Sequence, residues 1–334
     1  MKLNNLIFFA YYLKTTDWKS LRSHRTFIKS QNQISGIKLD IDMMLCTIRY
    51  GLSFHEYYYY GLWNKSSAQR SEYASMGYMY KFQIKYNPIG NRTILSDKNK
   101  FNTYYSEFIH RDIINPIESS MKTIENFLKE REKVVLKKSN GSQGKFVEVL
   151  QTSKYTPEKL KEYAIHKQYD ILEEFVYQHD ELQRLSPNSL NTIRFITFLK
   201  NNNNVKVVGS SIRMGLNKNT DNLSSGGITC KVNIETGVIE SKGYSFDITQ
   251  KLCDVHPISG MKLEGFKIPY WNEVTSMCIM AAKKYSENRC IGWDVAITNN
   301  GPLLIEGNHD WGARVWQMPA GKGMKDILDR LSED

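Results

Sequence analysis

The sequence predicts an α+β fold in which two mixed lobes follow a mostly helical N-terminal segment. Three observations indicate this. Residues 1–90 repeat apolar side chains at spacings of three and four, as amphipathic helices do. Residues 133–150 and residues 290–308 each contain two apolar runs around a Gly- or Asn-containing turn, as β-hairpins do. Helical and strand patterns alternate around these hairpins, so helices and antiparallel strands share each lobe.

The N-terminal region, residues 1–90, is predicted to contain helices at 18–28, 39–50 and 67–80. The aromatic run at 57–60 is more typical of core packing than of a platform for stacking ligands. Residues 86–91 carry Pro88 and Gly90 and are the predicted linker to the rest of the chain.

The first lobe is predicted at residues 91–176, with helices at 117–129 and 157–167 around a hairpin of strands 133–138 and 145–150. Its turn is a loop of small residues, called the glycine loop here (residues 139–144). Glycine lets the backbone approach an anion, so this loop can close over phosphates, although a plain hairpin turn explains it too. A strand follows the loop and no GK[ST] is present, which excludes the phosphate loop that precedes a helix. The apolar strand 170–176 then runs into an acidic pair.

The second lobe is predicted at residues 177–334, with strands at 192–199, 205–213 and 229–234 and a helix at 271–285. Its last hairpin places Asp294 in one strand and Glu306 and Asn308 two apart in the next, hence on one face. Two carboxylates and an amide oxygen around one point are ligands that Mg²⁺ prefers. Ordinary solvated polar residues on a hairpin are the alternative.

Two further segments are candidate substrate contacts. The loop containing Asn222, Ser225, Gly226 and Gly227 suits backbone contact with a ligand, or is simply a surface loop. The segment after Asn308 carries Trp311 and Arg314, which suit a sugar acceptor through stacking and charge; core packing of the tryptophan is the alternative.

Composition limits the function classes. The net charge of +10 indicates an anionic partner, but the lysines are scattered, so an acidic small substrate is favoured and nucleic acid is not predicted. The five cysteines form no CxxC pair, which fits a reducing cytoplasm. The N-terminal apolar run is too short and polar to span a bilayer, which leaves peripheral membrane contact open.

Six of these motifs occur in the order found in the ATP-grasp superfamily: Asp97-Lys98, Val135-Leu136-Lys137 with its loop, residues 172–176, Asn191-Thr192-Ile193-Arg194, Asp294, and Glu306-Gly307-Asn308. Residues 172–308 more narrowly resemble the sugar-transfer-associated ATP-grasp proteins, through the words QHDELQRLSPNSLNTIRFIT and CIGWDVAITNNGPLLIEGN. The resemblance covers about residues 95–320 and implies an ATP-grasp fold, in which two α+β lobes clasp ATP. It does not extend to the helical region.

The resemblance implies roles for individual residues. Lys98 and Lys137 match the two phosphate-binding lysines, with Lys138 as an alternative to Lys137. Arg194 matches a clamp for the γ-phosphate or an acyl phosphate; a strand residue whose side chain reaches out to solvent is the alternative. Asp294, Glu306 and Asn308 match the Mg²⁺ ligands. The remaining ATP contacts implied are the glycine loop (Ser139, Gly141, Ser142, Gln143 and Gly144), the adenine hinge (Glu173, Glu174, Phe175 and Val176) and one ribose carboxylate, Asp180 or Glu181.

One position departs from the pattern of carboxylate–amine ligases. These enzymes often carry an arginine two residues before the metal aspartate, where this chain has Gly292. Either Arg213 or Arg289 replaces it, or this chain does not need it.

The function expected from the resemblance is an ATP- and Mg²⁺-dependent ligase that activates a carboxylate as an acyl phosphate and joins it to an amine. The expected substrates are small or sugar-linked molecules of capsule or cell-envelope polysaccharide synthesis. Two alternatives are a kinase on the same scaffold, which phosphorylates a hydroxyl, and a module that binds ATP but has lost catalysis.

Overall fold

The computed structural model describes residues 3–141, 146–216 and 226–332. Its α-helices are α1 (Leu3–Thr15), α2 (Trp18–Asn32), α3 (Gly36–Tyr50), α4 (Phe54–Tyr59), α5 (Ser67–Ser71), α6 (Met76–Tyr86), α7 (Thr93–Ser96), α8 (Lys98–Tyr104), α9 (Met121–Lys129), α10 (Pro157–Lys167), α11 (Asp180–Leu185), α12 (Trp271–Lys284), α13 (Arg314–Ala320) and α14 (Lys325–Ser332). Its strands are β1 (Ile113–Ile114), β2 (Lys133–Lys137), β3 (Val147–Gln151), β4 (Ile171–Glu174), β5 (Thr192–Leu199), β6 (Val205–Met214), β7 (Ile228–Val232), β8 (Cys290–Thr298) and β9 (Gly301–Asn308). Short 3₁₀ helices cover Leu62–Asn64, Ile89–Asn91, Ser106–Phe108 and Thr152–Lys154.

The first sheet has the strand order β1-β4-β2-β3 and is antiparallel throughout. Val134 and Leu136 of β2 are fully buried in a core that α9 and α10 complete. Because side chains alternate along a strand, Val135 and Lys137 face the other side, toward the site. β2 and β3 pair directly, as the hairpin pattern predicts.

The second sheet has the strand order β7-β6-β5-β8-β9, again antiparallel. One face packs on α12 and on α7 and α8 through a large apolar core that includes Phe195 and Trp293. The opposite face brings Arg194, Asp294 and Glu306 side by side, because they are register partners on β5, β8 and β9. This face positions the functional residues.

The N-terminal region is helical, as predicted, but one predicted helix is wrong. Residues 67–80 form two helices, α5 and α6, because the chain turns and Ser75 caps the second with a hydrogen bond from the Tyr78 backbone. The aromatic run at 57–60 packs as predicted, with Tyr57, Tyr58 and Tyr60 buried in the core between α1 and α4.

The predicted linker at 86–91 begins with residues that are tightly held. Asn87 is fully buried, and its side-chain amide donates to the main-chain oxygens of Cys290 (2.7 Å) and His309 (2.8 Å). The amide of Cys290 donates back to Asn87 Oδ1 at 3.0 Å. These bonds join the start of β8 to the residue after β9.

The helical region also packs on the C-terminal helices. The buried side chain of Gln317 in α13 accepts from the backbone N–H groups of Ala74 and Met324 and donates to Tyr60 Oη and the Ala74 oxygen. Trp316 packs so closely on β6 that a Cβ at Gly209 would lie 2.2 Å from its indole nitrogen.

Candidate active site

The β8–β9 hairpin brings the three predicted metal ligands together. Asp294 and Glu306 are direct cross-strand partners, and a bulge follows them between Asp294 and Val295. Asn308 Nδ2 donates to the main-chain oxygen of Gly292 at 3.2 Å and lies 3.4 Å from both Asp294 Oδ2 and Glu306 Oε1. Two carboxylates and one amide therefore converge, as the period of two predicts.

Two arginines hold Asp294. Arg194 on β5 binds it with two contacts, Nε to Oδ1 at 2.6 Å and Nη2 to Oδ2 at 3.1 Å, and Arg213 on β6 lies 2.8 Å from Oδ2. Asp294 is almost completely buried, which alone would raise its pKa, but the two guanidinium groups hold that pKa below its ordinary value. Arg194 is 6% exposed and so is not a strand residue reaching out to solvent.

The pKa of Glu306 is shifted in the direction opposite to that of Asp294. Removal from water and the adjacent Asp294 carboxylate raise its pKa to about 7, and the two arginines offset this only partly. Both arginines contact Asp294 directly, so their positive charge offsets the negative charge of Glu306 less than that of Asp294. The Asp294 and Glu306 carboxylates beside the Asn308 amide offer hard oxygen ligands, and the charge of Glu306 is only partly offset. Such a group fits a divalent cation such as Mg²⁺. Rotation of the Asn308 amide about its last side-chain bond presents its oxygen to the same point.

Close packing explains the glycine that stands where related ligases have arginine. A Cβ at Gly292 would lie 2.6 Å from Trp311 Cβ and 3.1 Å from Arg194 Cδ, so a larger side chain does not fit. Of the two arginines expected to replace it, Arg213 lies in the site. Arg289 lies elsewhere: it donates to the Leu199 oxygen and stacks over Tyr86 and Phe198.

The prediction that Trp311 presents its face to a sugar acceptor is wrong. Trp311 is 1% exposed and packs edge-to-face on Trp316 in the core beneath α6 and α14. The indole instead covers Gly292 and closes the space beside Arg194. Arg314, predicted with it, lies over the rings of Phe246 (4.9 Å) and Tyr59 (5.9 Å), toward the N-terminal helices. Its role in binding an acceptor stays a prediction.

Lys137 in the first lobe belongs to a buried charge cluster. Its Nζ donates to Glu173 Oε1 at 2.7 Å, and Arg111 Nε donates to Glu173 Oε2 at 3.0 Å. Burial would raise the pKa of Glu173, but Arg111 and Lys137 lower it to about 2. Burial lowers the pKa of Lys137, and Glu173 opposes that change. Arg111 also donates to the main-chain oxygen of Leu304 at 2.7 Å, which ties this cluster to β9 two residues before Glu306.

Lys98 is the first residue of α8, and its side chain reaches the start of the glycine loop. Its Nζ donates to the main-chain oxygens of Ser139 (3.2 Å) and Gly141. Asp170 holds the same region by accepting from the Ser139 backbone at 2.7 Å and from Asn99 Nδ2 at 3.1 Å.

Several predicted loop contacts lie outside the described residues: Ser142, Gln143 and Gly144 of the glycine loop, and Asn222 and Ser225 of the substrate loop. Gly226, which is exposed with a φ of 95°, and the buried Gly227 lead into β7.

The alternative lysine, Lys138, points away from this cluster. It lies over the Phe146 ring at 5.1 Å, and its Nζ is 3.4 Å from Gln168 Oε1 near the protein surface. Lys137 is therefore the lysine that the structure places in the charge cluster.

A cavity of about 620 Å³ lies between the two lobes at the hinge. Its wall combines residues of the first sheet with residues of the second lobe: Lys133, Val149, Gln151, Phe175, Val176, Tyr177, Gln178, Asp180, Gln183, Pro187, Asn188, Ser189, Leu190 and Asn299. Asp180 lines this cavity, whereas Glu181 is exposed and lines neither described cavity. Glu174, Phe175 and Val176 also line a larger cavity of about 720 Å³ behind the hinge, against α12. Neither cavity is lined by the metal-ligand candidates.

Sequence reasoning missed Arg111 and Asp170. Arg111 precedes a strand of only two residues, so no periodicity marks it, and its partner Glu173 is 62 positions away. Asp170 is the first residue of the apolar run 170–176, and an acid before a buried strand is the one local signal available.

The comparisons with known proteins agree with the resemblance to ATP-grasp proteins. The model of the family described as sugar-transfer associated ATP-grasp matches residues 78–333, which extends beyond the motifs at both ends. No curated protein sequence matches the chain.

Solved structures are similar only remotely. The ATP-grasp ligase PsnB, complexed with a phosphomimetic variant of its minimal precursor, Mg and ADP, is 11% identical, with a TM-score of 0.47 over 77% of this chain and 66% of that chain. D-cycloserine synthetase DcsG is 10% identical, with a TM-score of 0.43 over 77% and 78%. The D-alanine-D-alanine ligase from Coxiella burnetii is 10% identical, with a TM-score of 0.40 over 72% and 59%. The family match covers most of the chain and confirms the predicted ATP-grasp fold, so the chain belongs to the sugar-transfer-associated ATP-grasp family.

Proposed function

We propose that this protein is an ATP- and Mg²⁺-dependent ligase that activates a carboxylate as an acyl phosphate, releases ADP and joins the acyl group to an amine. We assign its substrates to small or sugar-linked molecules of capsule or cell-envelope polysaccharide synthesis, and its action to the cytoplasm. The observation that carries the proposal is the convergence of Asp294, Glu306 and Asn308 beside Arg194 and Arg213. Membership of the ATP-grasp family supports it.

The metal ligands in this proposal are Asp294, Glu306 and Asn308. The raised pKa of Glu306 supports the assignment, because a cation at this point relieves the repulsion between the two carboxylates. A bound Mg²⁺ supplies charge neutralisation to phosphate oxygens in phosphoryl transfer. Arg194 and Arg213 orient Asp294 toward that point through their hydrogen bonds.

The phosphate-binding groups in the proposal are Lys98, Lys137 and the glycine loop. Lys137 is held by Glu173, so its position is set before ATP arrives, which is the arrangement that electrostatic catalysis requires. Lys98 already donates to loop carbonyls, so it is positioned where the loop would meet phosphates. Arg194 and Arg213 are the candidates to stabilise the acyl phosphate, since a guanidinium group has five N–H donors and can bind an oxyanion as well as Asp294.

The adenosine site in the proposal is the cavity between the lobes. The hinge residues Phe175 and Val176 lie on its wall and offer apolar contact to a base. Asp180 is the ribose-binding carboxylate that the cavity supports, because Glu181 is not part of it. Gly226, Gly227 and the preceding loop remain the candidates for contact with the carboxylate or the amine.

The test is mass spectrometry of products formed from ATP, Mg²⁺, pooled amino acids and nucleotide-linked uronic acids. The expected product has the mass of a carboxylate plus an amine less one water, and ADP and phosphate form in equal amounts. Acceptor that gains the mass of a phosphoryl group would instead identify a kinase. ATP binding without turnover across the pool would leave only a binding function.

A further inference from the structure

Helix α3 exposes an apolar stripe to solvent. Ile37, Ile41, Met44 and Leu45 are 71%, 54%, 40% and 57% exposed, and their spacing places them on one side of the helix. The opposite side of α3 buries Leu39, Met43 and Cys46. A surface helix normally carries polar residues on its outer side, so a second apolar stripe requires an explanation.

Helix α1 lies against α3 and also exposes apolar side chains. α1 packs against α3, and Asn5 Nδ2 donates to the main-chain oxygen of Ile48 at 3.0 Å. α1 exposes Ile7 and Tyr11 on one side and Leu13 on another. We call six exposed residues of α1 and α3 the apolar face: Ile7, Tyr11, Ile37, Ile41, Met44 and Leu45. With Leu13 and Trp18, residues 1–50 hold eight of the 21 exposed large apolar side chains of the described chain, although they are a small part of it.

Positive charge accompanies the apolar face. Residues 1–50 contain eight Lys or Arg and three Asp, a net charge of +5 and thus half of the +10 of the whole chain. Asp40 and Asp42 bind arginines, and Asp17 caps α2. Six exposed cations have no acidic partner within the described part of the chain: Lys14, Lys19, Arg22, Lys29, Lys38 and Arg49.

We propose that the apolar face docks on the surface of an anionic lipid bilayer, with α1 and α3 lying in the plane of the headgroups. Apolar side chains on one side with cations around them are the combination that binds helices to such an interface. Among the described residues, no helix is long and apolar enough to cross a bilayer. A second copy of the chain fits this face less well, because it would bring two regions of +5 together.

The test is sedimentation of the full-length protein with vesicles of phosphatidylcholine alone and of two parts phosphatidylcholine to one part phosphatidylglycerol. We expect binding to the anionic vesicles only, weakening as salt rises because exposed charges are screened. Ile41→Glu should lower the affinity by about tenfold or more, because it places a carboxylate in the buried interface. Ile165→Glu is the matched control: Ile165 is 52% exposed on α10, in the first lobe, and the affinity should not change.

A second variant keeps the test independent of the apolar substitution. Lys38→Glu reverses a charge beside the stripe and should weaken binding about threefold to tenfold at low salt and little at high salt. Thermal unfolding shows that each variant folds, and ATP turnover should be unchanged in all three. Absence of binding to anionic vesicles, equal binding to neutral vesicles, or equal effects of the Ile41 and Ile165 variants would overturn the proposal. A dimer in light scattering that Ile41→Glu dissociates would assign the face to a second copy instead.

Discussion

Two buried charge clusters lie in the candidate active site, one in each lobe, and they are balanced differently. In the first, the single carboxylate of Glu173 meets two cations, Lys137 and Arg111. In the second, Arg194 and Arg213 both contact Asp294, and Glu306 beside them keeps the smaller share of their charge. The first cluster therefore has a net positive charge, which suits an anion. The second contains two arginines and two carboxylates, so it is neutral when Glu306 is ionised, and the Glu306 charge is the one left for a cation. A magnesium–triphosphate complex carries an anion for the first cluster and a cation for Glu306.

The largest expected effect is the loss of the Glu306 carboxylate. Glu306→Ala should lower the rate of ADP formation about a hundredfold to a thousandfold, the usual cost of removing a group that stabilises developing charge. A coupled assay of ADP measures it, with circular dichroism to show retained folding. Glu235→Ala, on an exposed turn after β7, is the control. Equal turnover in both variants would show that the second cluster holds no catalytic cation.

The net positive charge of the first cluster can be tested by substituting the adjacent residues Lys137 and Lys138 in turn. Lys137→Met should lower turnover about a hundredfold, because it removes the ammonium group that Glu173 positions. Lys138→Met should stay within about twofold, because that side chain points toward Gln168 and away from the cluster. Steady-state rates at saturating ATP measure both. The reverse order of effects would move the phosphate contact to Lys138.

Arg111 links the first cluster to β9, because it donates both to Glu173 and to the main-chain oxygen of Leu304. Arg111→Met leaves Glu173 with one cation and removes the bond to Leu304, so the free energy of unfolding should fall by roughly 3 kcal/mol. The KM for ATP should rise, because Glu173, the partner of Lys137, is no longer held in place by Arg111. Urea unfolding and ATP kinetics measure the two effects. Arg330→Met removes an exposed ion pair with Asp326 and should cost less than about 1 kcal/mol. Similar losses in the two variants would deny Arg111 a special role.

The pH dependence of stability distinguishes the clusters further. The pKa of Glu306 rises from an ordinary value of 4.5 to about 7 on folding, so the folded chain holds a proton that the unfolded chain releases. The free energy of unfolding should therefore fall as pH rises from about 4.5 to about 7. The expected fall is roughly 2 kcal/mol, because the Glu306 side chain is partly exposed and solvent screens its charge.

Urea unfolding without divalent cations, at pH 5 and pH 8, checks this pH dependence. Glu306→Gln should be more stable than the unaltered protein at pH 8, and the gap should close at pH 5. Added Mg²⁺ should stabilise the unaltered protein at pH 8 more than the variant. A gap that does not vary with pH would contradict the raised pKa.

The hairpin with its Asn-Asn-Gly-Pro turn predicted correctly that Asp294 would oppose Glu306, because turn position and strand alternation fix register locally. The strand 192–199 and the helix 157–167 also match the prediction at both ends. The contacts of Arg111 were not predictable, since they join residues far apart in sequence. The burial of Trp311 was not predictable either, because an aromatic residue beside a cation has the same local pattern in a core and in a binding site.

The N-terminal helices show a different limit. The periodicity at 39–50 predicts a helix correctly, but it does not report that α3 is apolar on two sides, because the inward side is defined only by what packs there. Likewise, the break between α5 and α6 depends on a serine cap that competes with continued helical periodicity at 67–80.

Asn87 has a consequence for how the metal-ligand candidates are spaced. β8 and β9 are joined by a covalent turn at one end, and at the other end this one amide fastens Cys290 to His309. The two strands are thus fastened to each other at both ends. The separation of the Asp294 and Glu306 carboxylates is therefore set during folding, before any ligand binds.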